Sequence, residues 1–317
     1  MYPARFDYFA PGTIEDALAL LDRFGEEGKV LAGGQSLIPL MKLRFAAPRA
    51  VVDINRIPGL DGLEAADGGL RIGALVRHRD CERSPLLKGR FGALGAAAPL
   101  ISDPIVRNLG TVAGSLAHAD PQGDWGSVML AAGAEVRARS SSGERTIPVE
   151  DLLLDPLTTS LAPNEVIVDL RVPDPGARAG GTYLKLERRV GDFATVGVAV
   201  QLSFSGDAVS RAGIALTGVA PINRRAAAAE QALAGAPLSD DAIREAARLA
   251  ADTAEPHDDL RGTADFKRNV VRVFVERGIR AAAAAADGAQ PRRTGDETFS
   301  GHETVEGVMD EIREKQE

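Results

Sequence analysis

Three features of the 317-residue sequence predict an α+β fold in two unequal parts. Short apolar strands and amphipathic helices are interspersed through residues 6–172. The densest cluster of breakers in the chain, PDPGARAGG at 173–181, then interrupts that pattern and marks a boundary between domains. Beyond it come three consecutive strands and then three helices, the order expected of one sheet with helices laid on one face. The predicted parts are residues 1–175 and 182–286, followed by a polar tail at 287–317.

The first part opens with a strand over 6–9. Thr13, with Asp16 three residues on, starts a helix whose Ile14, Ala17, Leu18 and Leu21 share one face. An apolar strand then runs into VLAGGQSL at 30–37. Strands follow at 51–54 and 70–73, and an alanine-rich helix is predicted over 86–98, ended by Pro99. Residues 114–124 read as a loop, 125–132 as a helix, and 135–139 with 145–149 as a hairpin around Ser140-Ser141-Ser142-Gly143. A strand over 166–172 closes this part.

In the second part the strands are 182–187, 195–204 and 209–219, the last two joined by the turn signal Ser205-Gly206-Asp207. Helices are predicted over 224–233, 239–253 with an acidic start at Asp240 and Asp241, and 263–286. In the tail, Ser300 and Glu303 form a capping-box pattern, and Val305, Val308, Met309 and Ile312 keep helical spacing, so the segment reads either as a frayed tail or as a short helix that docks on a partner or on the chain's own body.

Composition narrows the function. Apolar residues make up 44% and aromatics only 4%, so the core is aliphatic. No stretch is apolar for the 18 or more residues that a membrane span needs, and no export signal opens the sequence, so a cytoplasmic location is expected. The net charge of −8, without a basic block, argues against a nucleic-acid surface. Cys81 is the single cysteine, which excludes an internal disulfide and any iron–sulfur cluster ligated by this chain alone. The four histidines show no i, i+4 pair, so a zinc site is not expected.

Two loops carry the chemistry. In the first, Ala32, Gly33, Gly34, Gln35 and Ser36 break an apolar run before Leu37. Paired glycines allow close backbone approach and positive φ, Ser36 is placed to cap a following helix, and such a turn can hold a phosphate. In the second, Thr111, Val112, Ala113, Gly114 and Ser115 make a small-residue turn, followed by Asp120 and Asp124, whose carboxylates suit polyol hydroxyls. Two such loops in one domain fit a ligand with a pyrophosphate at its middle.

AGGQSLIPLMK at 32–42, VVDI at 51–54, IVRNLGTVAGSLAHADPQGD at 105–124 and YLKLERRVGDFATVGVAV at 183–200 resemble the FAD-binding medium subunit of the molybdenum hydroxylases. The likeness is to the carbon monoxide dehydrogenase type, related to the flavin domain of xanthine dehydrogenase, and it covers about the first nine-tenths of the chain. It implies a two-subdomain FAD-binding domain followed by a smaller C-terminal α+β domain of three strands plus helices. It also implies that the stretch from Ala32 to Leu37, together with Thr111, Ala113, Gly114 and Ser115, holds the FAD pyrophosphate and adjoining groups. Asp124 is implied near the ribityl or flavin region, and Ile101, Leu161 and Lys185 near the cofactor, with Lys185 a candidate partner for a flavin carbonyl or the reduced flavin anion.

The resemblance further implies a hetero-oligomer with no catalytic acid or base on this chain. A large molybdopterin subunit oxidises substrate, a small subunit carries [2Fe–2S] clusters, and a dimer of heterotrimers is expected. The rival readings are a stand-alone FAD-dependent oxidoreductase acting directly on a small molecule, with a His or Tyr as base, and a non-flavin scaffold protein. One departure stands out: the family's second loop carries two glycines, and here Ala113 takes the first place. Its methyl group is expected to exclude φ > 0 or crowd the phosphate.

Overall fold

A computed structural model of the chain describes residues 2–289 and, as backbone, His302 and Glu303. It opens with β1 (Asp7–Phe9), α1 (Ile14–Phe24), β2 (Gly28–Leu31), α2 (Leu37–Leu43) and β3 (Ala50–Asp53). Thr13 caps α1 by accepting the Asp16 amide at 3.1 Å, and Ala17, Leu18, Leu21 and Phe24 bury one face. A helix separates each strand from the next, so the strands pair parallel, in the order β1-β3-β2. Leu31 is in register with Asp53. The residues after β2 and β3 therefore leave the sheet side by side at its carboxyl edge, where parallel sheets offer ligand crevices.

A second sheet begins with β4 (Leu63–Ala66) and β5 (Gly69–Gly73). Five helices follow: α3 (His78–Arg83), α4 (Gly92–Ala97), α5 (Pro104–Leu109), α6 (Val112–His118) and α7 (Asp124–Ala132). Next come β6 (Glu135–Ser140), β7 (Gly143–Pro148), α8 (Val149–Leu152), the small hairpin β8 (Leu153–Asp155) and β9 (Thr158–Thr159), and β10 (Val166–Pro173). The sheet is antiparallel, ordered β4-β5-β10-β6-β7. Every residue of α7 is buried, as befits a helix enclosed on all sides.

The remaining part is built on β11 (Ala179–Glu187), β12 (Ala194–Ser205) and β13 (Ala208–Thr217), paired antiparallel. β14 (Arg224–Arg225) adds to one edge, and β15 (His302–Glu303) pairs parallel with Lys185 and Leu186 at the other. Helices α9 (Ala227–Leu233), α10 (Asp240–Thr253) and α11 (Ala264–Ala286) complete it.

Strand alternation divides the sheet between two cores. Leu184, Leu186, Val196, Val198 and Val200 pack with Val270, Phe274 and Ile279 of α11. Tyr183, Ala199 and Ala215 point the other way, into the core of the first part, where α4 and α7 cover that face.

Three sequence expectations are corrected. The helix over 86–98 is a succession of 3₁₀ turns around the short α4, because Gly89 adopts φ +68° and interrupts the helical path. Residues 114–124 are mostly helix: Thr111 accepts the Gly114 amide and starts α6, leaving only 119–123 as loop. Arg224 and Arg225 form a strand opposite Leu216 and Ala215 before α9 begins. Apart from His302 and Glu303, the tail over which a frayed segment or a short docking helix is predicted lies outside the described residues.

Candidate functional site

Ala32, Gly33, Gly34, Gln35 and Ser36 connect β2 to α2 at the carboxyl edge of the parallel sheet, all half-buried, as is Leu37. Gly34 takes φ +72°, and the Gln35 side chain donates back to the Gly33 carbonyl at 3.1 Å. Ser36 stands at the N-cap position with a right-handed helical backbone, and its hydroxyl makes no capping bond. The turn is closed by main-chain bonds instead, Ile38 to Gly34 and Leu40 to Ser36, both 3.1 Å. The expected capping role of Ser36 is thus corrected.

The second loop lies against the first. A Cβ on Gly33 would stand 2.4 Å from the Leu109 carbonyl oxygen and 2.7 Å from the Gly110 Cα. The Thr111 hydroxyl accepts the Gly114 amide at 3.0 Å, and the Val112 amide goes to Val76 at 3.2 Å. Ser115 is half-buried. Ala113 is the second residue of α6; its methyl is buried in the core and its φ is not left-handed. The positive φ expected to be at issue at Ala113 is not required, because the residue sits inside a helix.

A second cluster forms where α7 meets β11. Asp124 is the first residue of α7, and its two carboxylate oxygens accept the Tyr183 hydroxyl at 2.7 Å and the Lys185 ammonium at 3.0 Å. Lys185 also donates to the Leu100 carbonyl at 3.0 Å and lies 3.5 Å from Glu187. Only 1% of Lys185 is exposed, so it is no solvated strand residue, and its charge is met by two carboxylates and a carbonyl. Burial pushes the Asp124 carboxyl up, opposed by the neighbouring ammonium. It pushes the Tyr183 phenol well above its ordinary range as well.

Ile101 follows the carbonyl that Lys185 holds; its side chain is buried, and its own carbonyl accepts from Arg107 at 3.1 Å. Leu161, between β9 and β10, is half-buried against the same core, with its amide 3.4 Å from the Thr159 hydroxyl. Asp120 accepts the Gln122 amide at 2.9 Å and shapes the turn into α7.

Sequence reasoning overlooked the residues that join these pieces. Trp125, beside Asp124, donates its indole N–H to His78 at 3.0 Å, and the His78 amide bonds the Gly110 carbonyl at 3.0 Å. The start of α7 therefore links the Lys185 cluster to the second loop. Asn55 and Arg77 tie the loops to each other. The IN dipeptide after the VVD strand was the available signal, since an Asx residue at a strand end commonly ties down a loop.

Two family models match the chain in succession: the FAD binding domain in molybdopterin dehydrogenase over residues 4–175, and the CO dehydrogenase flavoprotein C-terminal domain over 181–282. The chain is 42% identical over 282 residues to the carbon monoxide dehydrogenase medium chain of Hydrogenophaga pseudoflava, covering 89% of this chain and 98% of that one. It is 39% identical to the 6-hydroxypseudooxynicotine dehydrogenase complex subunit alpha of Paenarthrobacter nicotinovorans, covering 88% and 95%. Among solved structures, carbon monoxide dehydrogenase from Hydrogenophaga pseudoflava superposes with a TM-score of 0.86 at 44% identity, over 90% of this chain and 99% of that one.

Proposed function

Because the chain belongs to the FAD-binding medium subunits of the molybdenum hydroxylases, we propose that it relays electrons from the [2Fe–2S] clusters of a small partner subunit to an external acceptor. Substrate oxidation falls to a large molybdopterin subunit, and the assembly is a dimer of heterotrimers in the cytoplasm. Bound FAD supplies redox chemistry that accepts electrons singly or in pairs, the requirement at a junction between one-electron carriers and a two-electron acceptor.

The observation that carries the reading is the contact of the two glycine loops at Gly33 and Leu109. The two loops thereby meet at the carboxyl edge of the parallel sheet, a setting in which backbone amides bind phosphate oxygens. In this reading Ala32, Gly33, Gly34, Gln35, Ser36 and Leu37 line one side of the pyrophosphate, and Thr111, Ala113, Gly114 and Ser115 the other. Ile101 and Leu161 supply apolar surface. Lys185 and Asp124 act from beneath: Lys185 fixes the Leu100 carbonyl, and with it the backbone of Ile101, while its own ammonium stays inside the protein. The domain boundary lies within 173–181, so that the sheet built on β11 closes over the first domain.

Neither His78 nor Tyr183 is presented as a base. His78 is buried with Nδ1 occupied by Trp125, and the Tyr183 phenol is held by Asp124. A chain acting alone on a small molecule would need such a group.

The visible spectrum tests the proposal. Flavin absorbance is expected in the purified chain and in the complex with its partner subunits, with substrate bleaching it only in the complex. Bleaching of the isolated chain by substrate would overturn the relay in favour of direct oxidation.

A further inference from the structure

A chain of hydrogen bonds crosses from one glycine loop to the other. It starts at β1, where the Tyr8 hydroxyl donates to Asp53 at 2.6 Å. The other Asp53 oxygen accepts the Asn55 backbone amide at 2.9 Å and side-chain amide at 2.6 Å. That fixes the Asn55 amide plane, which donates to the Ala32 carbonyl of the first loop at 2.8 Å. The Asn55 side-chain oxygen accepts from Arg77 at 2.6 Å. The other arm of the Arg77 guanidinium donates to the Leu109 carbonyl, just before the second loop.

Arg77 is also held from behind. It pairs with Thr111 in an isolated β-bridge, and its neighbours bond the second loop directly, His78 to Gly110 and Val112 to Val76. Asn55 and Arg77 are planar groups with bonds in fixed directions, and each spends one of them on the other and one on a loop carbonyl. A bridge of this kind sets a distance, which a single flexible ammonium would not do.

We propose that Asn55 and Arg77 are positioning residues that hold the two glycine loops at the spacing the FAD diphosphate requires. The inference rests on the reading of those loops as a pyrophosphate clamp. Neither residue need touch the cofactor: removing the bridge leaves the loops in place but lets their separation vary, and binding must then restore it.

The test is titration of the FAD-free, full-length chain with FAD, alongside its melting temperature without FAD. Asn55→Ala and Arg77→Met are each expected to weaken FAD about tenfold, the effect of one lost charge-assisted hydrogen bond. The double variant should be no weaker than the poorer single. Arg77→Lys, which keeps the charge but not the fork, should bind as poorly as Arg77→Met. Asn55→Ser serves if the larger truncations fail to fold.

Wild-type affinity in Arg77→Lys would overturn the proposal, because charge alone would then suffice. So would multiplicative losses in the double variant, or a matching fall in the FAD-free melting temperature, which would mark a general structural role. Gly33→Val separates the two readings. If it retains FAD, the clamp itself is misplaced; if it loses FAD while the Asn55 and Arg77 variants bind normally, only the bridge fails.

Discussion

Trp125 donates its indole N–H to Nδ1 of His78 at 3.0 Å, with both rings buried in the core of the first domain. An acceptor at Nδ1 leaves the ring proton on Nε2, so the pair requires a neutral imidazole. Burial, reinforced by the charges of Arg107 and Arg77, lowers the His78 pKa from 6.5 to about 4. The unfolded chain takes up a proton at the ordinary value while the folded ring resists it. The stability carried by neutral His78 is thus complete above pH 6.5 and is lost as the pH falls toward 4.

The loss across that window is expected to reach about 3 kcal/mol from this one group. His78→Asn keeps an acceptor for the indole but does not titrate, so its unfolding free energy should vary less between pH 7 and 4. Urea unfolding followed by the emission of Trp125, the single tryptophan, checks this. Parallel curves for the two proteins would refute the assignment.

Breaking the Lys185 cluster should cost different amounts according to which partner is removed. Lys185→Met leaves the Asp124 and Glu187 carboxylates buried beside each other, and a loss of about 3–5 kcal/mol is expected, the range for stranding one half of a buried pair. Asp124→Asn keeps an oxygen for Lys185 and leaves Glu187 as its counter-charge, so it should cost less. The double variant should be more stable than Lys185→Met alone. Denaturant unfolding of the FAD-free chain reads all three.

What the sequence disclosed follows the range of its signals. The Thr13 helix start, the helices beginning near 239 and 263 and the long apolar strands β11 to β13 are local patterns, and each falls within a few residues of its predicted place. The stretches 86–98 and 114–124 depart from expectation because their punctuation is conformational: Gly89 breaks a helix that alanine content favours, while Thr111 starts one inside a small-residue run. The glycine loops were visible as motifs, but the reason for glycine at position 33 was not. That reason is Leu109, far along the chain. Lys185 and Asp124 were named separately, and only the docking of β11 on α7 discloses them as a pair.

Ala113 offers a sharp test of the second loop. Its methyl is buried and its backbone helical, so restoring the family's glycine by Ala113→Gly should bring no gain in FAD affinity. The substitution should instead lower stability by about 1 kcal/mol, the penalty for glycine inside a helix. A rise in FAD affinity would show that the methyl does crowd the phosphate.

Gly33 and Gly34 should respond differently to the same added methyl. At Gly34 the nearest atoms are the Ile38 Cδ1 at 2.7 Å and the Leu31 Cδ1 at 3.1 Å, both tips of flexible side chains. The main penalty there is the left-handed φ of +72°, worth about 1–2 kcal/mol for an L-residue. At Gly33 the obstacle is the Leu109 carbonyl and the Gly110 Cα, backbone of the opposite loop. That backbone is tied to His78 and Arg77 and has no rotamer by which to yield. Gly33→Ala must therefore push the loops apart, whereas Gly34→Ala strains one loop and leaves their separation intact. Titration of the FAD-free chain is expected to show Gly33→Ala weakening FAD by about a further factor of ten relative to Gly34→Ala, since each 1.4 kcal/mol is tenfold, with similar losses of unfolding free energy. Equal effects on FAD affinity would mean that the spacing of the loops is not what the cofactor reads.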